Sequence, residues 1–161
     1  MADDLASEMD NCVLEFNLLL KPLVLRIEEK YSENGSIYRL RKRLFLALSN
    51  DERLALMYLG PSLWNHRESI MKRDEEHFLN FDYTQTVENV RDEKDGQEGE
   101  GIMDKKEKNI LVDFITVVKR DYPQLNKAEK DDTYNTIKGM LIEYAKYVKI
   151  EKKLKTNTAN Q

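Results

Sequence analysis

The chain has 161 residues, of which 40% are hydrophobic and 35% are charged, and its net charge is −4. This length suits one domain, and the high charge with only six glycines and three prolines favours amphipathic helices over a buried sheet. The negative balance argues against nucleic-acid binding over the whole surface. The single cysteine, Cys12, excludes an intramolecular disulfide and a cysteine-based zinc site within one chain.

The first ten residues are acidic and lack the basic-then-apolar order of a signal peptide. No run approaches the roughly 20 apolar residues that a membrane span needs. The sequence therefore predicts a soluble protein with no membrane insertion, located in the cytoplasm or nucleus.

The first predicted helix runs from about residue 3 to residue 31 and bends at Pro22. Its apolar residues recur at steps of three and four, which is the mark of one helical face. They are Leu5, Met9, Cys12, Val13, Phe16, Leu19, Leu20, Leu23, Val24, Ile27 and Tyr31. Leu14, Leu18 and Leu25 fall off this stripe. A helix that is apolar nearly all round is buried centrally or shared with a partner, so these three leucines are candidate contacts for a partner or a second copy.

A turn at residues 34–36 precedes a second helix, which we expect to begin at an N-cap on Ser36 and end near Leu48. Ser49 and Glu52 match a capping box, which predicts the start of a short third helix. Gly60-Pro61 is expected to end that helix. One or two further helices should cover residues 63 to about 79.

Residues 92–101 hold five acids, three glycines and no large apolar side chain, which predicts a flexible acidic loop over 91–104. Asp104 can cap a helix to about residue 120, and the Asn126-x-x-Glu129 pattern predicts the start of a long last helix. The expected fold is all-α: a single compact domain of about six helices. It comprises an N-terminal helical block (3–90), the loop, and a C-terminal helical pair (105–155) packed on the first block.

The segment from Trp64 to Tyr83 contains the only tryptophan and both histidines. Tryptophan, tyrosine and arginine dominate the energetics of protein interfaces, so this segment is a candidate recognition surface, with core packing as the alternative. The candidate partner-binding residues here are Trp64, Phe78, Phe81 and Tyr83.

A metal site is the first enzymatic possibility, since His66, Asp74, Glu75, Glu76 and His77 are close in sequence. Helical carboxylate-bridged metal sites use a Glu-x-x-His motif on two helices, and here a related motif occurs once at most. We expect a solvated acidic turn beside an exposed histidine instead. No nucleophile elbow or phosphate-binding glycine loop is present. The prediction is a protein that is not an enzyme and has no catalytic residue, metal or cofactor.

Two basic clusters lie on predicted helices and could contact phosphates. The first comprises Arg39, Arg41, Lys42 and Arg43, and the second comprises Lys149, Lys152, Lys153 and Lys155. Charge runs on helices also serve as solvated faces, so nucleic acid is the less favoured partner.

Residues 60–83 carry a pattern of Gly60-Pro61-x-x-Trp64, then Arg67-Glu68, then Arg73-Asp-Glu-Glu-x-Phe78-Leu-x-x-Asp-Tyr83. This segment resembles one in small uncharacterised helical proteins of nucleocytoplasmic large DNA viruses, although His77 stands where a second aromatic residue is expected. The resemblance implies a viral origin and a role in the virion or the infected cell, and it implies no enzymatic activity.

These observations predict a protein-interaction or structural subunit, virion-associated if the chain is viral, that binds a protein partner or itself. The alternative is a nucleic-acid-associated accessory protein that binds phosphates through its basic helical patches.

Overall fold

In the computed structural model, residues 2–80 and 105–159 are described, and every regular element in these two ranges is a helix. The α-helices are α1 (Ala2–Lys30), α2 (Gly35–Asn50), α3 (Leu54–Asn65), α4 (Arg67–Met71), α5 (Glu75–Asn80), α6 (Lys105–Asp121) and α7 (Lys127–Ala159). A short 3-10 helix (Tyr122–Gln124) connects the last two. The predicted all-α fold is confirmed. The predicted acidic loop (91–104) and the cap at Asp104 lie outside the described residues.

Helix α1 forms the centre of the core. It is continuous through Pro22, so the prediction of one helix rather than two is confirmed. Phe16 and Leu20, on its main apolar stripe, are completely buried. The most extensive helix–helix packing joins α1 to α7, and α7 also packs against α3 while α6 packs against α2. The two C-terminal helices therefore contact the N-terminal helices directly.

Three predicted helix boundaries are wrong. Asn34, not Ser36, caps α2, since its side-chain oxygen accepts hydrogen bonds from the backbone N–H groups of Ser36 and Ile37. Ser49 lies inside α2, where its hydroxyl donates to the carbonyl oxygen of Leu46 and so makes no capping box. Hydroxyl groups that bond back to the preceding turn compete with capping, which explains this difference.

Gly60-Pro61 does not end α3 either, since the helix continues through both residues to Asn65. Gly60 lies where α3 crosses α7. A Cβ atom added at Gly60 would lie 2.2 Å from Cδ2 of Tyr144. Glycine is therefore required at this position by the close approach of the two helices, and not by a turn.

The start of α7 matches its prediction. The backbone N–H of Glu129 donates to the side-chain oxygen of Asn126 at 2.9 Å, and the N–H of Asn126 donates to a Glu129 carboxylate oxygen at 3.1 Å. These reciprocal bonds form the predicted capping box.

A buried carboxylate holds the corner between α6 and the 3-10 helix against α1. The side chain of Asp121 is 3% exposed and accepts hydrogen bonds from Lys30 Nζ (2.9 Å), Arg26 Nη2 (3.3 Å) and the Tyr31 hydroxyl (2.8 Å). The bond to Asp121 raises the pKa of Lys30, which stays charged. Buried charges are stable only when paired in this way.

Candidate interaction surfaces

Three leucines on α1 are exposed to solvent. Leu14, Leu18 and Leu25 are between 48% and 55% exposed, although Phe16 and Leu20 on the opposite face of the same helix are fully buried. We call these three residues the leucine ridge. The structure therefore places them on the outer surface, and the alternative that α1 is buried on all sides is wrong.

The leucine ridge is bordered by α2 near its C-terminal end. Lys21 Nζ lies 6.0 Å from the centre of the Phe45 ring, and Glu28 forms a salt bridge with Arg41. Lys21, Leu25 and Glu28 follow one another at one-turn steps, so Leu25 lies between the two contacts that fix α1 to α2. These contacts hold α1 against α2 on either side of Leu25.

A second apolar surface is concave and lies between α4 and α7. This groove has a volume of about 480 Å³ and includes Trp64, Met71 and Ile142, which are 42%, 56% and 46% exposed. We call it the tryptophan groove. The Arg67 guanidinium stacks 4.5 Å from the centre of the Trp64 ring and also donates to the Trp64 carbonyl oxygen. Trp64 is thus a surface residue in contact with Arg67 and not part of the core.

Phe78, on α5, faces the 3-10 helix and α7. Its ring meets those of Tyr122 and Tyr134 edge-on, with centroids 5.4 Å and 6.1 Å away. The Tyr122 hydroxyl donates to Glu75, and burial raises the pKa of Tyr122 to about 12. This aromatic cluster joins α5 to the C-terminal helices. The other two predicted aromatic contacts, Phe81 and Tyr83, lie outside the described residues.

The basic run of α2 is divided between two faces. Arg41 pairs with Glu28 of α1, and that bond raises its pKa, while Lys42 Nζ lies 5.1 Å from the centre of the Tyr38 ring. Arg39 and Arg43, one turn apart, instead line a groove of about 540 Å³ between α2 and α6. The predicted four-residue basic patch is therefore not one continuous surface.

The second basic cluster lies opposite carboxylates. Lys149 and Lys153 line a groove together with Glu8 and Glu15 of α1, and Lys155 pairs with Glu151 at 3.4 Å. Lys152 is exposed on the same helix. Because acidic groups of α1 face these lysines, the potential that would attract nucleic-acid phosphates is reduced here.

The two histidines meet at the junction of α3 and α5. Nδ1 of His66 lies 2.9 Å from Nε2 of His77, and burial together with His77 lowers the pKa of His66. His66 is buried and His77 half-buried, so the expected exposed histidine is wrong. The Asp74 carboxylate accepts from the backbone N–H of His77 and thereby caps α5.

Neither the described histidines nor any other described side chains form a group of three or more possible metal ligands. Cys12 is buried, and this burial and the Glu143 carboxylate raise the pKa of its thiol. A protonated, enclosed thiol is a poor nucleophile. Among the described helices, none combines the length and apolar character needed to cross a membrane.

No family model, curated protein or solved structure matches this chain.

Sequence reasoning missed several residues of these surfaces. Met71 and Ile142 join Trp64 in one groove, and Arg120 of α6 lies across from Arg39 and Arg43. Ile142 carried a usable signal, since it is an apolar residue directly after the apolar Leu141 and lies about 100° further round the helix. Arg120 gave no local signal, because only the packing of α6 on α2 brings it to the groove.

Proposed function

We propose that the protein is a non-enzymatic structural subunit that associates with a second copy of itself through the leucine ridge of α1. The single observation that carries this proposal is the exposure of Leu14, Leu18 and Leu25 on a helix whose opposite face is buried. A row of exposed apolar side chains on an otherwise charged surface is typical of an interaction site.

The spacing of the leucine ridge supports a second copy as the partner. Leu14, Leu18, Lys21 and Leu25 are separated by four, three and four residues, the spacing of a coiled-coil seam. This spacing is the same in both directions along the helix. An antiparallel second copy would place Leu14 opposite Leu25 and Leu18 opposite Lys21, which is the self-complementary arrangement that a two-fold dimer requires.

Lys21 is the one polar member of this seam. Its aliphatic stem can cover the facing Leu18 while its ammonium group stays at the surface beside Phe45 of α2. A single polar residue in an apolar seam disfavours other registers, at a cost in stability. We therefore expect a specific dimer of moderate affinity, whose population rises with protein concentration.

The resemblance of residues 60–83 to small helical proteins of large DNA viruses suggests where such a subunit acts. We propose that the dimer is a component of a viral particle or of the infected cell, where high local concentration favours association.

The test is the oligomeric state of the full chain, measured by sedimentation equilibrium over a wide concentration range. The wild type should dimerise, and Leu18→Asp should be monomeric with a nearly unchanged melting temperature. Leu20→Ala is the matched core control, and it should lose about 2–5 kcal/mol of stability. Trp64→Ala, in the tryptophan groove, should leave the dimer intact.

A wild type that remains monomeric at every concentration would overturn the proposal. So would a dimer that Trp64→Ala abolishes and Leu18→Asp does not, because the tryptophan groove would then be the interface. If Leu18→Asp unfolds the chain, Leu14→Asp provides a second test at another exposed position of the leucine ridge.

A further inference from the structure

The groove between α2 and α6 presents three arginines from two helices. Arg39 and Arg43 project from α2, and Arg120 faces them from α6. All three side chains are exposed, and none forms an ion pair with a carboxylate in the part of the chain that the structure describes. We call these residues the arginine groove. Arg39 Nε also donates to the Gly35 carbonyl oxygen of its own helix at 3.2 Å. Three like charges that line one concavity repel one another, so an anion that fills the concavity is stabilised there.

The acidic residues of the arginine groove do not neutralise it. Asp121 reaches its wall, but Arg26 and Lys30 already pair with that carboxylate from α1. Asp113 is the other acid among the lining residues, and its single negative charge does not balance the three arginines. The groove therefore keeps a net positive charge, although the whole chain is negative.

The remaining lining groups suit a polar ligand. Ser36 adds a hydroxyl group to the walls and Gln124 adds an amide N–H group, whereas the Thr116 hydroxyl already donates to the Val112 carbonyl oxygen. The N-terminal end of the 16-residue helix α2 opens on the same space. The positive end of a helix dipole adds to the attraction for an anion. The arginine groove thus combines cationic side chains with neutral hydrogen-bonding groups.

From these observations we infer that the arginine groove binds the phosphate or polyphosphate group of a small molecule. The planar guanidinium group matches phosphate oxygens with two parallel hydrogen bonds, and its charge does not depend on pH in the usual range. The volume of about 540 Å³ falls in the ~300–1,000 Å³ range of small-molecule sites. A long nucleic-acid backbone fits less well, because the other basic residues of α2 point away from the groove.

Inorganic pyrophosphate is the probe for this site. We expect calorimetry on the full chain to detect its binding and thermal melting to show stabilisation by it. Arg43→Gln and Arg120→Gln should each weaken binding about tenfold or more, since each removes charge-assisted hydrogen bonds. Lys42→Gln is the matched control: it makes the same change of charge one residue from Arg43, on a side chain that packs against Tyr38. It should bind pyrophosphate like the wild type.

A DNA duplex tested in parallel separates the two sources of phosphate. We expect duplex binding to be weak and to respond equally to Arg43→Gln and Lys42→Gln. Tight duplex binding with a steep salt dependence would overturn it in favour of nucleic acid. Failure of the wild type to bind pyrophosphate, or equal losses in Arg43→Gln and Lys42→Gln, would also overturn it. Circular dichroism of each variant confirms that the fold is retained.

Discussion

Replacing Gly60 with alanine should destabilise the protein, although alanine favours helix more than glycine does. The new Cβ atom would lie 2.2 Å, 2.6 Å and 2.7 Å from Cδ2, Cε2 and Cγ of Tyr144. Carbon atoms are stable in contact at about 3.5–4.0 Å, so the ring or one of the helices must move. Since Cγ is attached directly to Cβ, a small rotation of the Tyr144 ring does not relieve the clash.

The size of the effect follows from two opposed terms. Alanine in a helix interior gains roughly 0.5–1 kcal/mol over glycine, whereas overpacking of this kind costs about 1–3 kcal/mol. We expect a net loss of about 1–2 kcal/mol. At about 2–4 °C per kcal/mol for a chain of this size, the melting temperature should fall by several degrees.

Thermal melting followed by circular dichroism measures this loss. Gly35→Ala is the control, since the nearest atom to its Cβ would be Arg39 Nη2 at 3.8 Å, and it should melt like the wild type. In a Tyr144→Ala background, Gly60→Ala should no longer destabilise, because the clashing ring is absent. If Gly60→Ala stabilises the wild type, or lowers the stability equally in both backgrounds, α3 and α7 do not approach as closely as described.

Three further perturbations test other parts of the fold. Burial and His77 lower the pKa of His66 in the folded protein. The stability contributed by its neutral form is therefore complete above the ordinary histidine pKa of about 6.5 and is lost as the pH falls through the lower, folded-state pKa. His66→Gln should flatten this part of a curve of unfolding free energy against pH. Cys12 should react slowly with a thiol reagent in the native protein and rapidly in urea, and equal rates would contradict its burial. Asp121→Asn should lower the unfolding free energy in denaturant titration by about 1–3 kcal/mol, since two partly exposed cations lose their counter-charge.

Periodicity made α1 predictable. The apolar stripe of α1 covers many turns, so the burial of Phe16 and Leu20 and the displacement of Leu14 and Leu18 from the core both follow from 3.6-residue spacing. The capping box of α7 was also predictable, because Asn126 and Glu129 form it within a single turn. Features that depend on neighbouring residues of one helix are present in the sequence.

Features that depend on packing between distant elements were not predictable. Gly60-Pro61 is a helix-ending pattern by local preference, yet the packing of Gly60 on Tyr144 keeps it inside α3. The basic run of α2 could have been divided, since Arg39 and Arg41 lie on nearly opposite sides of a helix. The role of Arg120 could not, because its proximity to Arg43 exists only after α6 has packed on α2.

The packing of α1 on α7 has a consequence for synthesis of the chain. The first helix leaves the ribosome roughly a hundred residues before α7 begins, a delay of about 5–20 s at ~5–20 residues per second. During this time Phe16, Leu20 and the rest of the buried stripe lack the helix that covers them in the finished fold. The nascent chain thus presents apolar surface on both sides of α1, so it is most exposed to chaperone capture and aggregation before α7 emerges.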